Sequence, residues 1–160
     1  MKTNRIGLAV CATVTSFCTA HSFAADFDTT VPMHDKGAAT YYVSVSVNER
    51  VVSDFLVDTG SGYVTINKKI LKQLMHEEGA VFVKKIAAVM ADGSETVVPV
   101  YRLASLKLGE GCIIRDVEAA VMPGTTTNIL GLSALKKAAP FTLSLTPPAL
   151  ALTNCNNGSV

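Results

Sequence analysis

The run Phe55-Leu56-Val57-Asp58-Thr59-Gly60-Ser61-Gly62 constrains this chain more than any other. Three apolar residues with strand character end on one carboxylate, and a glycine turn follows at once. Aspartate is depleted in strands, and charged side chains are rarely buried without a partner. A strand that delivers an aspartate into a tight glycine turn therefore carries a cost that calls for a task. A second apolar segment ending in glycine, Asn128-Ile129-Leu130-Gly131, lies within one domain's length of it.

Short strands surround this run. Tyr41–Val47 alternates at period two, Asn48-Glu49-Arg50 makes a turn, and Val51–Val57 returns to deliver Asp58. Tyr63–Ile66 is a further strand. Asn67 caps a helix whose apolar residues Ile70, Leu71, Leu74 and Met75 share one face, and Gly79 ends it. Ala80–Ala91 and Glu95–Tyr101 flank Asp92-Gly93, a hairpin-turn signal, and Pro99 favours an edge. Strands are also expected at 103–108 and 112–122, at Ile129-Leu130, and as a last pair about Pro147-Pro148. Leu132–Ala138 reads as one or two helical turns. Turns every eight to twelve residues between short strands mean a compact all-β barrel with two short helices.

The 160 residues suggest one domain. Lys2 and Arg5 precede an apolar stretch, Ile6–Phe17, and Ser22-Phe23-Ala24 offers small residues where a signal peptidase reads. Residues 1–24 are therefore expected to be a signal peptide cut after Ala24, which places the chain in the periplasm or outside the cell. The apolar stretch is short for a bilayer span, so no stable membrane anchor is expected after cleavage. Residues 25–40 read as a polar arm, 41–153 as the folded domain and 154–160 as a frayed polar tail. The 14 basic residues, less Lys2 and Arg5, nearly balance the 13 acidic ones. No basic patch stands out, so nucleic acid is not an expected partner. Cys112 and Cys155 remain after cleavage. They either form a disulfide, worth about 4 kcal/mol for a loop of roughly forty residues, or stay as two free thiols.

Asp58 is the one strong catalytic candidate. Amide hydrolysis by carboxylates needs two of them a few ångströms apart, sharing one proton because like charges that close cannot both ionise. One then activates water while the other protonates the carbonyl oxygen. The sequence has one such turn, so the second copy must come from an identical chain across a two-fold axis. Gly60 would allow a positive φ and turn its N–H toward the carboxylate. The Thr59 hydroxyl could tie two such turns together, and Ser61 could donate to the outer carboxylate oxygen and favour its ionised form.

These residues resemble a known family. Asp58-Thr59-Gly60-Ser61 after an apolar strand, the hairpin tipped by Asp92-Gly93, and Ile129-Leu130-Gly131 before a short helix are similar to the retropepsin-type aspartic proteases. The bacterial, exported, single-lobed group is the closest match, over roughly residues 41–152. The resemblance implies a closed acid-protease barrel, a homodimer with Asp58 of each chain as the catalytic pair, and an extended peptide or protein as substrate. It implies a flap at Met90, Ala91, Asp92, Gly93 and Ser94, and implies that Ile129, Leu130 and Gly131 support the active turn. No cofactor or metal belongs to this chemistry. The polar arm and tail offer no counterpart to the paired chain ends of the viral dimers.

Other chemistries fit less well. Asp58-Thr59-Gly60 could be an ordinary turn whose aspartate holds its own backbone. Ser61 lacks the surroundings of a serine nucleophile, with only His34 and His76 left as bases. His76-Glu77-Glu78 lacks the second histidine of a zinc-protease helix. Met75, Met90 and Met122 read as fillers, and Lys84-Lys85 and Lys136-Lys137 as solvated faces. A non-catalytic peptide-binding module of the same fold is the main alternative, and a structural protein with a vestigial site is a third.

Overall fold

The structure, a computed structural model, describes residues 26–76, 79–124 and 126–156. The expected signal peptide lies outside these residues, as do the last four of the tail. The strands, in order, are β1 (Thr29–Pro32), β2 (His34–Asp35), β3 (Tyr41–Val47), β4 (Val51–Val57) and β5 (Val64–Asn67). Helix α1 (Lys68–Met75) comes next, then β6 (Ala80–Val89), β7 (Glu95–Leu108), β8 (Cys112–Met122) and β9 (Asn128–Leu130). Helix α2 (Leu132–Leu135) runs into a 3-10 turn, and β10 (Phe141–Leu145) and β11 (Pro148–Leu152) end the order.

Residue chemistry accounts for the main elements. Val43, Val45 and Val47 of β3 are fully buried while Ser44 between them is exposed, as period-two alternation demands. Asn48 and Glu49 both take left-handed backbone angles, which suit a tight hairpin turn into β4. The Asn67 side chain accepts the Ile70 N–H at 3.0 Å and starts α1. Ile70 and Leu74 are buried, but Met75 is exposed and leaves the predicted apolar face.

Strand pairing closes the sheet. The order β2-β3-β4-β9-β5-β8-β7-β6 is joined back by pairing of β3 with β7. The six strands β3, β4, β9, β5, β8 and β7 thus form a closed barrel around Phe55, Ile66, Leu103, Leu106 and Leu130. β9 runs parallel to β4 and antiparallel to β5, so it is threaded between the two strands that flank the Asp58 turn. β6 and the first part of β7 extend out of the barrel as a hairpin.

Three expectations need correction. β7 is one strand of 14 residues rather than two. Pro99 interrupts nothing, because it lies where β7 pairs with β6 but pairing with β8, which starts at Val100, has ended. The polar arm is not a loose extension: β1 pairs antiparallel with β11 and buries Val31 and Met33 in the core. Nor is the start of the tail frayed. Cys155 is joined to Cys112 by a disulfide with Cα atoms 4.7 Å apart, and Asn156 bonds to Ile113 and Gly111.

Candidate active site

β4 ends at Val57 and places Asp58 at the mouth of the barrel, half-buried. Its backbone N–H donates to the Leu130 carbonyl at 3.2 Å, continuing the parallel ladder of β4 and β9. The Gly60 N–H donates to Asp58 Oδ1 at 2.8 Å. Among the described residues this is the only hydrogen bond to the Asp58 carboxylate. The N–H reaches the carboxylate as anticipated, but Gly60 does not take a positive φ. A side chain would crowd the carboxylate instead: a Cβ would lie 3.1 Å from Asp58 Oδ1, which would have to give by a few tenths of an ångström.

Ser61 does not do what its position suggested. Its hydroxyl donates to the Tyr63 carbonyl at 2.8 Å and so fixes the turn rather than the carboxylate. Thr59 is exposed. The Leu132 N–H donates to the Ser61 carbonyl at 2.8 Å, which ties the turn to the start of α2.

Gly131 is buried between these two segments. Its φ is −98°, so its role is not to bend the chain. A Cβ on it would lie 2.1 Å from the Tyr63 carbonyl oxygen and 2.8 Å from that of Ser61. Only glycine lets the two backbones pack this closely. Ile129 and Leu130 occupy β9 beside the turn. Ser133, unnoticed in the sequence, completes the support. It accepts the Val64 N–H at 2.7 Å and donates to the Glu118 carbonyl at 2.7 Å.

The hairpin of β6 and β7 covers this turn. At its tip the Met90 N–H donates to the Ser94 carbonyl at 2.8 Å, and Gly93 takes a φ of +81°. Asp92 accepts the Ser94 N–H at 2.9 Å and the Ser94 hydroxyl at 2.6 Å. The hydroxyl first, and then the N–H, hold the Asp92 carboxyl below the usual carboxylate range. Ala91 is exposed at the tip.

Between turn and hairpin lies a cleft of about 630 Å³. Asp58, Gly60 and Tyr63 form one side of it and Ile86, Ala88 and Met90 another, with Ile129 also in the lining. Thr65, Ala120 and Met122 line it too and were not foreseen as site residues. The period-two step from Tyr63 to Thr65 was the available signal for the first of them. Among the described residues Asp58 is the only carboxylate in the lining. Lys84 is exposed, as expected of a solvated face, and meets Glu118 at 2.9 Å. Glu118, and after it Tyr63, raise the Lys84 ammonium above the usual lysine range. No group of three His, Cys, Asp or Glu among the described residues could hold a metal ion.

A carboxylate in a glycine turn, braced by a threaded strand and covered by a hairpin, is the arrangement of an acid protease. Residues 43–137 match the model of the gag-polyprotein putative aspartyl protease family. The chain is a retropepsin-like aspartic protease by family. Its fold is similar to the crystal structure of a retropepsin-like aspartic protease from Rickettsia conorii. Identity there is 20%, the match covers 78% of this chain and 88% of that one, and the TM-score is 0.54. The retroviral protease-like domain of Ddi1 from Leishmania major matches at 18% identity over 78% of this chain and 100% of that one, with a TM-score of 0.48. No curated protein sequence matches the chain. At 20% identity the Rickettsia conorii structure speaks for the retropepsin barrel alone.

Proposed function

We propose that this retropepsin-like chain is one half of an exported aspartic endopeptidase, active as a homodimer on extended peptide segments. The observation that carries the reading is Asp58: the only carboxylate of an apolar cleft, held by the Gly60 N–H beneath a hairpin. One carboxylate cannot both take a proton from water and give one to the carbonyl oxygen. A second Asp58, brought across a two-fold axis through the exposed Thr59 side of the turn, supplies the missing group. The pair shares one proton; the ionised member activates water and the protonated one donates to the oxygen of the scissile carbonyl. The hairpin excludes water and offers backbone groups to the peptide.

An acid pH range follows from the shared proton alone, since the Ser61 hydroxyl is committed to Tyr63. Residues 25–160, after removal of the signal peptide, are the proposed mature form. The test is hydrolysis of a denatured protein and a peptide library from pH 3 to 7, with and without a statine-type inhibitor. Inhibitable cleavage that disappears in Asp58→Asn is expected; undiminished cleavage by Asp58→Asn ends the reading. The same single carboxylate supports a second reading, a peptide-binding module. A chain that stays monomeric in sedimentation at micromolar concentration across this pH range favours it.

A further inference from the structure

The cleft is lined mostly by apolar residues, and the strand that forms its hairpin wall runs back past the lining to a lysine. β6 has a bulge between Phe82 and Lys84: Phe82 is opposite Tyr101, whereas Lys84 is opposite Val100. Neighbouring strand residues point to opposite faces. The extra residue therefore moves Lys84, Ile86, Ala88 and Met90 together onto the inner side of the hairpin. Ile86 and Ala88 pack there against Val98 and Val100, and Ile86, Ala88 and Met90 line the cleft. Lys84 ends this row, two residues or about 7 Å beyond Ile86.

The lysine is placed rather than left to wander. Its ammonium lies 2.9 Å from Glu118 and 5.6 Å from the centre of the Tyr63 ring, which is itself part of the cleft wall. Glu118 takes one of the three N–H donors. The Lys84 side chain is 45% exposed against 29% for Glu118, so the lysine is the more exposed member of the pair.

We propose that Lys84 is a specificity-determining residue that binds an acidic side chain of the peptide. The preferred substrate is then an extended chain, apolar at the bond to be cut, with an aspartate or glutamate further along. Two-fold symmetry repeats the cation at the other end, so an acid is accepted on both sides. This rests on the proteolytic reading of the Asp58 cleft.

The experiment uses two peptide series on one apolar core, with a single glutamate or a single lysine moved outward on each side. Wild type should prefer glutamate over lysine at one position per side by about tenfold in kcat/KM. Lys84→Glu should reverse the preference, and Lys84→Gln should abolish it. No preference in wild type, or the same preference in Lys84→Glu, overturns the proposal. Binding of the same peptides to Asp58→Asn, followed by fluorescence anisotropy, separates this from hydrolysis itself. If wild type cleaves nothing, charge-dependent binding that Lys84→Glu reverses still upholds the role of Lys84. Binding that ignores charge, or no binding, refutes it.

Discussion

A methyl group at position 131 has no room, and Gly131→Ala measures how much of the site depends on that. The added carbon would sit 2.1 Å from the Tyr63 carbonyl oxygen and 2.6 Å from its carbonyl carbon. An ordinary carbon–oxygen contact is about 3.3 Å, so the two segments must part by about 1 Å. Both are backbone, and neither can rotate away. The Leu132–Ser61 and Asp58–Leu130 hydrogen bonds join these same segments and would stretch with them. Overpacking costs about 1–3 kcal/mol, and each weakened buried hydrogen bond adds about 1 kcal/mol. The total is about 3–5 kcal/mol, or a fall of roughly 10–20 °C in Tm for a domain of this size. Thermal unfolding followed by circular dichroism reads it. Gly62→Ala is the control, because its Cβ would meet no heavy atom within 4 Å. Proteolytic activity should fall about a hundredfold in the same variant, since a 1 Å displacement of the turn spoils the carboxylate geometry. A Gly131→Ala protein that melts within about 2 °C of wild type and cleaves normally would refute the close-packing account.

Three further outcomes are expected. Gly60→Ala places a Cβ 3.1 Å from Asp58 Oδ1 and should lower kcat/KM by about tenfold or more with little change in Tm, as kinetics and melting together will reveal. Asp54 lies 2.6 Å from Lys36 and 3.5 Å from His34, and the Lys36 hydrogen bond, against some opposing burial, holds its carboxyl below the usual carboxylate range. A depressed carboxylate stabilises the fold above its unfolded pKa and loses that contribution as pH falls through the folded value. The Tm gap between wild type and Asp54→Asn should thus be present at neutral pH, shrink below about pH 4 and close in stronger acid; both partners are largely exposed, so it corresponds to under about 1 kcal/mol. Replacing Cys112 and Cys155 together by serine opens a loop with a sequence separation of 43 and should cost about 4 kcal/mol, seen as a lower urea midpoint in non-reducing buffer.

Local pattern made most of the barrel legible. Valines alternating with serines in β3, the Asn67 cap and the Asp92-Gly93 tip are short-range signals, and each lies where its spacing put it. The Asp58 turn and the Ile129-Leu130-Gly131 segment were legible for a different reason: an acid after an apolar strand, and a glycine after another, are costly without a purpose. What stayed hidden depends on partners far away in sequence. The arm looked polar because only Val31 and Met33 enter the core, and nothing local revealed that β11 would pair with it. The Ser61 hydroxyl had two acceptors within reach, and choosing Tyr63 over Asp58 is a matter of backbone path. Gly131 was expected to support the active turn, but that it does so through the proximity of Tyr63 and Ser61 was not visible. Lys84 is on the surface as its type suggests, but that it shares a face with Ile86 and Ala88 rather than Phe82 depends on a bulge that residue type alone does not reveal.

The pairing of Thr29 with Leu152 has an effect on the order of events during synthesis. Thr29 is made well before Leu152, so the first strand waits for the intervening chain before it finds its neighbour. The core beneath Val31 stays unsealed for that time, and such distant pairings are slow to form. A strand whose partner lies so far downstream stays unmated until that partner has been made.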